Sequence, residues 1–342
     1  MKADNKTLLL QLLQQHKELG ISNQIDYDKF YLYLIITHST AIEGSTVTEV
    51  EALLLFDEGI TAKGKPMVEQ LMNLDLKNAY EYGREWIKNH EDITIDILVT
   101  LASKVMARTG SEYNSLGGNF DASKGKLRKL NVTAGAGGRS YMNWMKVPQK
   151  LEAFCNELNA LDSGDIAAIY ELSFWAHYEL VTIHPWADGN GRTSRLLMNL
   201  LQMEYDVLPT KVLKEDEGEY IQALIDTREN EDIEIFLNCM AELHCTHLKY
   251  DIEQYVKSVE VVDKTDLTKK MVDKWSIKLS IAEKLVDILL FMADKDEIKT
   301  ETIVSVFGFT ETTAKRYLRQ LTEFGYLEAH GGNKNRTYSK KD

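Results

Sequence analysis

Apolar residues recur with the three- to four-residue spacing of amphipathic helices over most of residues 1–108. Gly20 ends the first helical run, and Gly44 follows the second at the position where many helices need a left-handed residue. Thr48 and Glu51 have the spacing of a capping box at a helix start. The pattern predicts helices at Lys6–Leu19, Tyr27–Ile42, Thr48–Phe56, Met67–His90 and Ile93–Arg108.

The helical pattern breaks between Thr109 and Val147, where glycines are frequent. Two short runs, Leu127–Val132 and Arg139–Trp144, flank a glycine-rich turn at 134–138 and predict a β-hairpin with a mobile tip. A phosphate-binding loop is the competing interpretation, but no Gly-Lys-Ser/Thr follows these glycines. Helices are predicted again at Val147–Leu161, at Ile166–Ile183 and from about Arg192 to Tyr205.

The last part of the chain has a different pattern. A long charged helix or linker is predicted at Leu248–Lys274. Three shorter helices follow, and then a hairpin around Gly331-Gly332. The three helices are predicted at Ile281–Ala293, Lys299–Phe307 and Thr310–Phe324. This order resembles a winged helix-turn-helix.

The third of these helices is strongly amphipathic. Its predicted buried residues are Tyr317, Leu318, Leu321 and Phe324, and its predicted outward residues are Lys315, Arg316, Arg319 and Gln320. Such a helix could enter a DNA major groove, with Lys334 and Arg336 of the hairpin on phosphates. The alternative is a protein-interaction or dimerisation module of the same fold, because Glu311 and Glu323 dilute the basic face.

Composition agrees with a mainly helical chain with real cores: 44% of its 342 residues are hydrophobic and only four are proline. A net charge of −13 disfavours non-specific nucleic-acid binding by the body, whereas residues 310–342, with seven Lys/Arg and four Asp/Glu, are positive. Three unevenly spaced cysteines suit a reducing cytoplasm. The leucines near the N-terminus alternate with glutamines, which predicts an amphipathic helix and neither a signal peptide nor a membrane span.

The stretch richest in candidate chemistry is 184–195, which reads HPWADGNGRTSR. Gly189 and Gly191 can take positive φ and bring backbone N–H groups against a ligand. A helix starting near Arg192 would point its unpaired N–H donors at the same place. Arg192 and Arg195 are three residues apart and share a helix face. Together they predict a polyphosphate-binding cradle.

Two further groups in this stretch indicate what happens to the bound phosphate. A carboxylate such as Asp188 would repel phosphates unless a divalent cation lay between them, and Mg²⁺ is commonly held by one carboxylate and phosphate oxygens. His184 is the group in the stretch that can accept a proton near neutral pH, so it is the candidate general base.

These residues resemble the signature of the Fic family (filamentation induced by cyclic AMP), HPFxxGNGRxxR, with Trp186 in place of its phenylalanine. The resemblance implies transfer of AMP from ATP to a hydroxyl side chain of a protein. It also implies individual roles: His184 as base, Asp188 as Mg²⁺ ligand, Asn190 and the N–H groups around Gly189 and Gly191 on the α-phosphate, Arg192 on the β-phosphate and Arg195 on the γ-phosphate.

Ser39 to Gly44 (STAIEG) resembles the inhibitory sequence [S/T]xxxE[G/N] of many Fic proteins. The resemblance implies that Glu43 pairs with Arg195 and takes the place of the ATP γ-phosphate. A glutamate at a helix C-terminus is unfavourable by itself, so a compensating partner is expected. A penalty of about 1–3 kcal/mol for its displacement would hold activity down roughly 5- to 150-fold.

The Fic likeness extends to two weaker features. Arg128 and Val132 resemble the Arg-x-x-x-Val pattern of a hairpin flap that holds the target by main-chain pairing. Tyr220 follows an acidic run where the family often has a tyrosine near the adenine, so it is a candidate ligand, with packing as the alternative. A zinc site at His244 and His247 is disfavoured, because further ligands at familiar spacing are missing from the sequence.

The sequence therefore predicts a mainly α chain, with a Fic-type helical core, a β-hairpin flap and a C-terminal winged helix-turn-helix. The predicted parts are an N-terminal helical segment with the inhibitory motif at 1–108, a catalytic core at 109–247, a linker helix at 248–276 and the winged helix at 277–342. The predicted activity is Mg²⁺-dependent adenylyl transfer from ATP to a Ser, Thr or Tyr of a target protein or of this chain itself. Two rivals are removal of AMP by water that Glu43 activates, and DNA-dependent regulation through residues 310–342. The target protein and the formation of a homo-oligomer stay open.

Overall fold

A computed structural model describes residues 1–134, 140–160, 165–292, 295–332 and 336–341, with the backbone alone over 260–263. Its contacts divide the chain into two compact units, Met1–Ile252 and Glu253–Asp342. No helix in the described ranges is both long enough and apolar enough to cross a bilayer.

The described part of the first unit consists of helices and one short strand pair. Before the strands come α1 (Ala3–Glu18), α2 (Tyr27–Ile42), α3 (Glu49–Asp57), α4 (Met67–Trp86) and α5 (Ile95–Val105). The strands β1 (Glu112–Tyr113) and β2 (Phe120–Asp121) pair antiparallel. After them come α6 (Val147–Ala160), α7 (Ile166–Ile183), α8 (Asn190–Glu204), α9 (Glu217–Asn230) and α10 (Ile233–Trp275).

Several of these helices begin and end where the sequence pattern places them. The bounds of α2 and α7 are those predicted, and α3 begins with the predicted capping box, in which Thr48 and Glu51 bond each other's backbone. The strands β1 and β2 were not predicted, because two-residue strands leave no periodic signal. Val207–Leu213 separates α8 from a short 3₁₀ turn ahead of α9.

Helix α8 is held on two sides by separate apolar clusters, and this fixes the position of its N-terminus. Leu197 and Leu201 pack with α5, α6 and α7, whereas Leu196 and Leu200 pack with α2, α4 and α5. Gly83 of α4 lets α8 approach closely, since a β-carbon there would lie 2.4 Å from a methyl carbon of Leu200. The residues just before α8 are therefore anchored to a rigid core.

The predicted hairpin at 127–144 is wrong as a regular two-stranded ladder. The described pairing consists of an isolated bridge between Thr133 and Ser140 and a hydrogen bond from Tyr141 N to Val132 O of 3.0 Å. Most of the predicted turn, and Arg139, lie outside the described residues. The backbone around it is held by side chains, chiefly Arg128, in place of ladder hydrogen bonds. We keep the name flap for 127–144.

The second unit contains the end of α10, then α11 (Leu279–Phe291), β3 (Ile298–Lys299), α12 (Thr300–Phe307), α13 (Glu311–Glu323), β4 (Leu327–His330) and β5 (Thr337–Lys340). The strands form an antiparallel sheet of order β3-β5-β4. The three helices and the terminal hairpin have the predicted order, whereas β3 was not predicted. The predicted linker helix, 248–276, continues the helix that begins at Ile233, since α10 runs from Ile233 to Trp275.

Helix α13 buries most of the predicted stripe. Tyr317, Leu318 and Leu321 are buried, and Phe324 stacks on Trp275 with ring centroids 4.4 Å apart. Lys315, Arg316 and Arg319 are exposed as predicted, but Gln320 is half-buried. This stripe joins α13 to the core of the second unit.

Candidate functional site

The segment 184–190 is a tight loop that joins α7 to α8. His184 ends α7 in the left-handed region, with φ of 51°. Trp186 N donates to Asn190 Oδ1, and Asn190 Nδ2 donates to Trp186 O, each at 3.0 Å. Both ends of the Asn190 amide are thus used to close the loop. The predicted contact of this side chain with the α-phosphate stays a prediction.

Trp186, the departure from the Fic signature, has a role that phenylalanine could not supply. It is buried, and its indole Nε1 donates to Gly125 O at 2.9 Å. This bond ties the loop to the turn after β2. A buried indole N–H normally needs such a partner, and here it finds one in the backbone.

The two glycines of the motif act differently. Gly189 has φ of 79° and caps α8, as predicted, but Gly191 lies inside the first turn with ordinary helical φ, so positive φ at Gly191 was a wrong prediction. Its lack of a side chain matters for space: a β-carbon on Gly191 would lie 2.5 Å from Glu43 Oε1 and 3.1 Å from Arg195 Nη1. Helix α8 begins at Asn190, two residues before the predicted start.

Arg192 is a buried cation with unused donors. Its side chain is 2% exposed, and among the described residues its Nε and Nη1 have no hydrogen-bond partner. Its Nη2 lies 3.2 Å from Met106 Sδ and 3.5 Å from Asp188 Oδ1. A buried guanidinium is costly without partners, so this group is suited to receive an anion.

Each of the three nitrogens of the Arg195 guanidinium donates to a protein group. Its Nη2 donates to Glu43 Oε1 at 2.7 Å and to Ser39 O at 2.9 Å, and its Nε donates to Ser39 Oγ at 2.9 Å. Tyr220 Oη accepts a longer bond, 3.4 Å, from Nη1. The side chains of the inhibitory motif and of α8 therefore meet as the resemblance implied.

Glu43 lies at the C-terminus of α2, and Gly44 follows it with φ of 97°. Its side chain is 29% exposed. Burial by itself would raise the pKa of this carboxyl, but the charge and hydrogen bond of Arg195 and the charge of Arg192 outweigh burial and lower the pKa. Glu43 is thus an anion near neutral pH, and its pairing with Arg195 offsets the unfavourable end of the helix dipole.

His184 is an uncharged base at neutral pH. Burial is the largest cause that lowers its pKa to about 4, and the charges of Arg128 and Arg228 act in the same direction. A bond with Val181 O, 3.2 Å from Nδ1, and the charge of Glu43 oppose the shift. Since Nδ1 faces a carbonyl acceptor, it carries the proton and Nε2 carries the free lone pair.

Asp188 is the carboxylate best placed for a cation beside bound phosphate. Its side chain is 53% exposed, and its Oδ1 accepts from Gly189 N at 2.5 Å. No cluster of three or more His, Cys, Asp or Glu side chains suited to a metal occurs in the described ranges. This arrangement fits an ion held by one carboxylate and by ligand oxygens, as Mg²⁺ often is, and does not fit an all-protein metal cage.

The two weaker predictions, the flap residues and Tyr220, lie in supporting positions. Arg128 is buried, and its guanidinium donates to the carbonyls of His184, Leu130 and Met142, each at 2.7 Å. Val132 is half-buried, and its carbonyl accepts from Tyr141 N. Tyr220 is buried behind Arg195, and its hydroxyl also bonds His177 Nε2 at 3.0 Å. This position favours the packing alternative for Tyr220.

Sequence reasoning missed three residues that line the site. Tyr141 of the flap stacks on His184, Arg228 of α9 lies over Tyr141, and Met106 supports Arg192. None of these carries a motif, and each comes close only through the tertiary fold. The histidines considered for zinc have other partners: His244 bonds Tyr170, and His247 pairs with Asp216.

Comparisons with known proteins agree with this geometry. The family model described as Fic/DOC family matches residues 92–202. A relative named protein adenylyltransferase Fic from Nematostella vectensis is 30% identical over 230 residues, which are 66% of this chain and 49% of that protein. This chain spans about half the length of the curated relatives that it matches.

Solved structures show the same fold. A Fic domain-containing signaling protein from Bacteroides thetaiotaomicron has a TM-score of 0.62 at 21% identity and covers 73% of this chain and 97% of its own. A Fic family protein from Desulfovibrio desulfuricans G20 has a TM-score of 0.57 at 16% identity and covers 98% of this chain and 96% of its own. The motif at 184–195 lies inside the matched residues, so residues 92–202 form a Fic domain.

Proposed function

We propose that this protein transfers AMP from ATP to a Ser, Thr or Tyr hydroxyl of a target protein. The observation that carries the proposal is the buried Arg192, whose Nε and Nη1 have no partner among the described residues, at the N-terminus of α8. A neutral His184 lies at the other end of the same loop. Anion cradle and base are thus held by one rigid segment. The curated relatives named protein adenylyltransferase support the same chemistry.

In the proposed reaction, the acceptor oxygen attacks the α-phosphorus of ATP while the bond to the bridging oxygen of pyrophosphate breaks. His184 Nε2 takes the hydroxyl proton. Arg192 and backbone N–H groups of the first turn of α8 hold the phosphates and stabilise their charge. Mg²⁺, held by Asp188, would supply further charge neutralisation when bound. Arg195 is available to the γ-phosphate only after Glu43 has left it.

The test is transfer of label from [α-³²P]ATP with Mg²⁺ in a cell lysate. Wild type, Glu43→Gly and His184→Ala/Glu43→Gly are compared. We expect labelled protein, either the chain itself or lysate proteins, with Glu43→Gly only. Equal labelling by the double variant would remove His184 as the base. Lack of labelling by all three would count against adenylyl transfer.

The same site suggests a second activity, removal of AMP from a modified protein. Glu43 lies at the phosphate cradle with a charged carboxylate, as a base for a water molecule requires. On a pre-modified target, release of AMP by wild type that is lost in Glu43→Gly would favour this hydrolase. Release that is unchanged by Glu43→Gly would exclude Glu43 as its base.

For the second unit, DNA binding stays a narrower proposal. A cleft of about 900 Å³ between α13 and the hairpin is lined by Lys299, Lys315, Arg319 and Arg336 together with Glu301 and Glu311. The pairs Lys315–Glu311 and Arg319–Glu323 reduce its positive charge, and Lys334 lies outside the described residues. Salt-sensitive duplex binding that Lys315→Ala/Arg319→Ala abolishes would support the proposal, and salt-insensitive or absent binding would end it.

We also propose that the protein works in the cytoplasm. Its cysteines, Cys155, Cys239 and Cys245, are buried and free, as in a reducing compartment. Fractionation of cells that express the tagged chain would test this.

A further inference from the structure

The candidate base is covered by a layered stack that comes from two distant parts of the chain. The rings of Tyr141 and His184 are stacked, with centroids 3.8 Å apart and planes inclined by 18°. The guanidinium carbon of Arg228 lies 4.6 Å from the centroid of the Tyr141 ring. Because the imidazole already occupies one face of that ring at close contact, the guanidinium lies on the other face.

Each of the three stacked side chains belongs to a segment that is held by its own contacts. Tyr141 is fixed by the bond from its N–H to Val132 O, and Arg228 belongs to the last turn of α9. His184 is fixed by its Nδ1 bond to Val181 and by the bond from Arg128 Nε to its carbonyl. The stack therefore connects the flap, the catalytic loop and α9 at a single point.

We propose that Tyr141 and Arg228 are positioning residues for the base, Tyr141 as the wall that fixes the imidazole plane and Arg228 as the clamp that holds Tyr141 in place. The proposal rests on the proposed function, since it takes His184 as the base. A cation over an aromatic face is attracted to the ring, which favours the stacked arrangement of the flap. A fixed ring keeps Nε2 aimed at the acceptor hydroxyl, which is a large part of catalysis by orientation.

The stack also affects the charge state of His184. It removes water from one imidazole face, and burial is the largest cause of the lowered pKa. The charged groups that act on His184 are Arg128 from the flap, Arg228 from α9 and Glu43 from α2. Loss of the Arg228 charge therefore raises the pKa of His184, and loss of Tyr141 raises it through hydration.

The test compares Tyr141→Ala, Tyr141→Phe, Arg228→Ala and Arg228→Lys with Arg84→Ala and Tyr250→Ala, which change an exposed arginine and an exposed tyrosine. The pKa of His184 is read by NMR on histidine-labelled full-length chain, with His184→Ala to assign the signal. We expect Tyr141→Ala and Arg228→Ala to raise that pKa by about one unit or more. Tyr141→Phe and Arg228→Lys should stay close to wild type, since they keep the ring and the charge.

The same substitutions in the Glu43→Gly background give the kinetic readout. We expect Tyr141→Ala to lower kcat about tenfold or more with little change in KM for ATP, and to move the acid limb of the pH profile upward. The proposal would be overturned if Tyr141→Phe behaved like Tyr141→Ala. It would also be overturned if the pKa of His184 were unchanged in both Tyr141→Ala and Arg228→Ala. The NMR titration does not need enzymatic activity. If labelling failed while the pKa of His184 still shifted in the alanine variants, the proposed function would be refuted, whereas the effect of Tyr141 and Arg228 on His184 would stand.

Discussion

The contact between Glu43 and Arg195 can be tested quantitatively by Glu43→Gly. The carboxylate shares Arg195 with Ser39 and Tyr220, which do not depend on it, so the guanidinium keeps its position when Glu43 is removed. The charge-assisted hydrogen bond from Arg195 to Glu43 is 2.7 Å long, and the Glu43 side chain is 29% exposed. Such bonds stabilise the state that contains them by about 1.5–3 kcal/mol. If ATP must displace this bond, its Kd in wild type is weaker than in Glu43→Gly by about 10- to 150-fold.

The matched control is Glu58→Gly. Glu58 occupies the C-cap of α3, as Glu43 does in α2, and its residue is exposed. Calorimetric titration of ATP with Mg²⁺ gives Kd for wild type and both variants. We expect tighter binding for Glu43→Gly and an unchanged Kd for Glu58→Gly. Equal affinities in all three proteins would refute the view that Glu43 competes with the γ-phosphate.

Thermal unfolding offers an independent check of the same reasoning. Arg195 is 3% exposed, and removal of its anionic partner leaves a buried charge. Glu43→Gly should therefore melt at a lower temperature than wild type without ligand. Saturating ATP should stabilise Glu43→Gly more than wild type, because tighter binding gives a larger linkage term. An identical ATP-induced shift in both proteins would contradict the prediction.

Three further outcomes are expected. Gly191→Ala should abolish labelling even in the Glu43→Gly background, because its methyl intrudes on the place that Glu43 and phosphate share, whereas Gly218→Ala, which meets nothing within 4 Å, should not. Asp188→Asn should raise the Mg²⁺ concentration needed for half-maximal labelling, while the exposed Asp92→Asn should not. The melting temperature should fall as the pH is lowered from 6.5 to about 4. In that range His177 and His244 are protonated in the unfolded state, whereas burial lowers their pKa in the folded state to about 3 and keeps them neutral. Each such histidine costs about 1.4 kcal/mol per pH unit in that window, and His244→Gln should flatten the slope.

The parts of the fold that could be predicted are those with strong local signals. The helical period set α2 and α7 to the residue, because their apolar faces are long and uninterrupted. Phe154 and Leu158 of α6 follow the same rule. The flap could not be predicted well, since its described backbone is held largely by hydrogen bonds to the Arg128 side chain, for which strand propensity gives no signal.

The candidate site divides in the same way. His184, Asp188, Arg192 and Arg195 lie in one short stretch, so their spacing already indicates a phosphate cradle. The role of Glu43 could be predicted only in combination with that stretch. Tyr141 and other contacts of the base lie far away in sequence, and a single sequence carries no signal that they meet. The helical conformation of Gly191 could not be predicted either, because glycine adopts both positive φ and ordinary helical φ.

The space next to Gly191 supplies a physical reason why Glu43 and a bound phosphate would exclude each other in the proposed mechanism. Glu43 Oε1 lies 2.5 Å from where a β-carbon of residue 191 would be, so the carboxylate uses room that a glycine leaves open at the start of α8. Arg195 is already oriented by Ser39 and Tyr220, and Nε and Nη1 of Arg192 have no partner within the described part of the chain. Displacement of the Glu43 side chain by itself would therefore open this space, whereas a shift of the whole last turn of α2 would also move Ser39 and with it the support of Arg195.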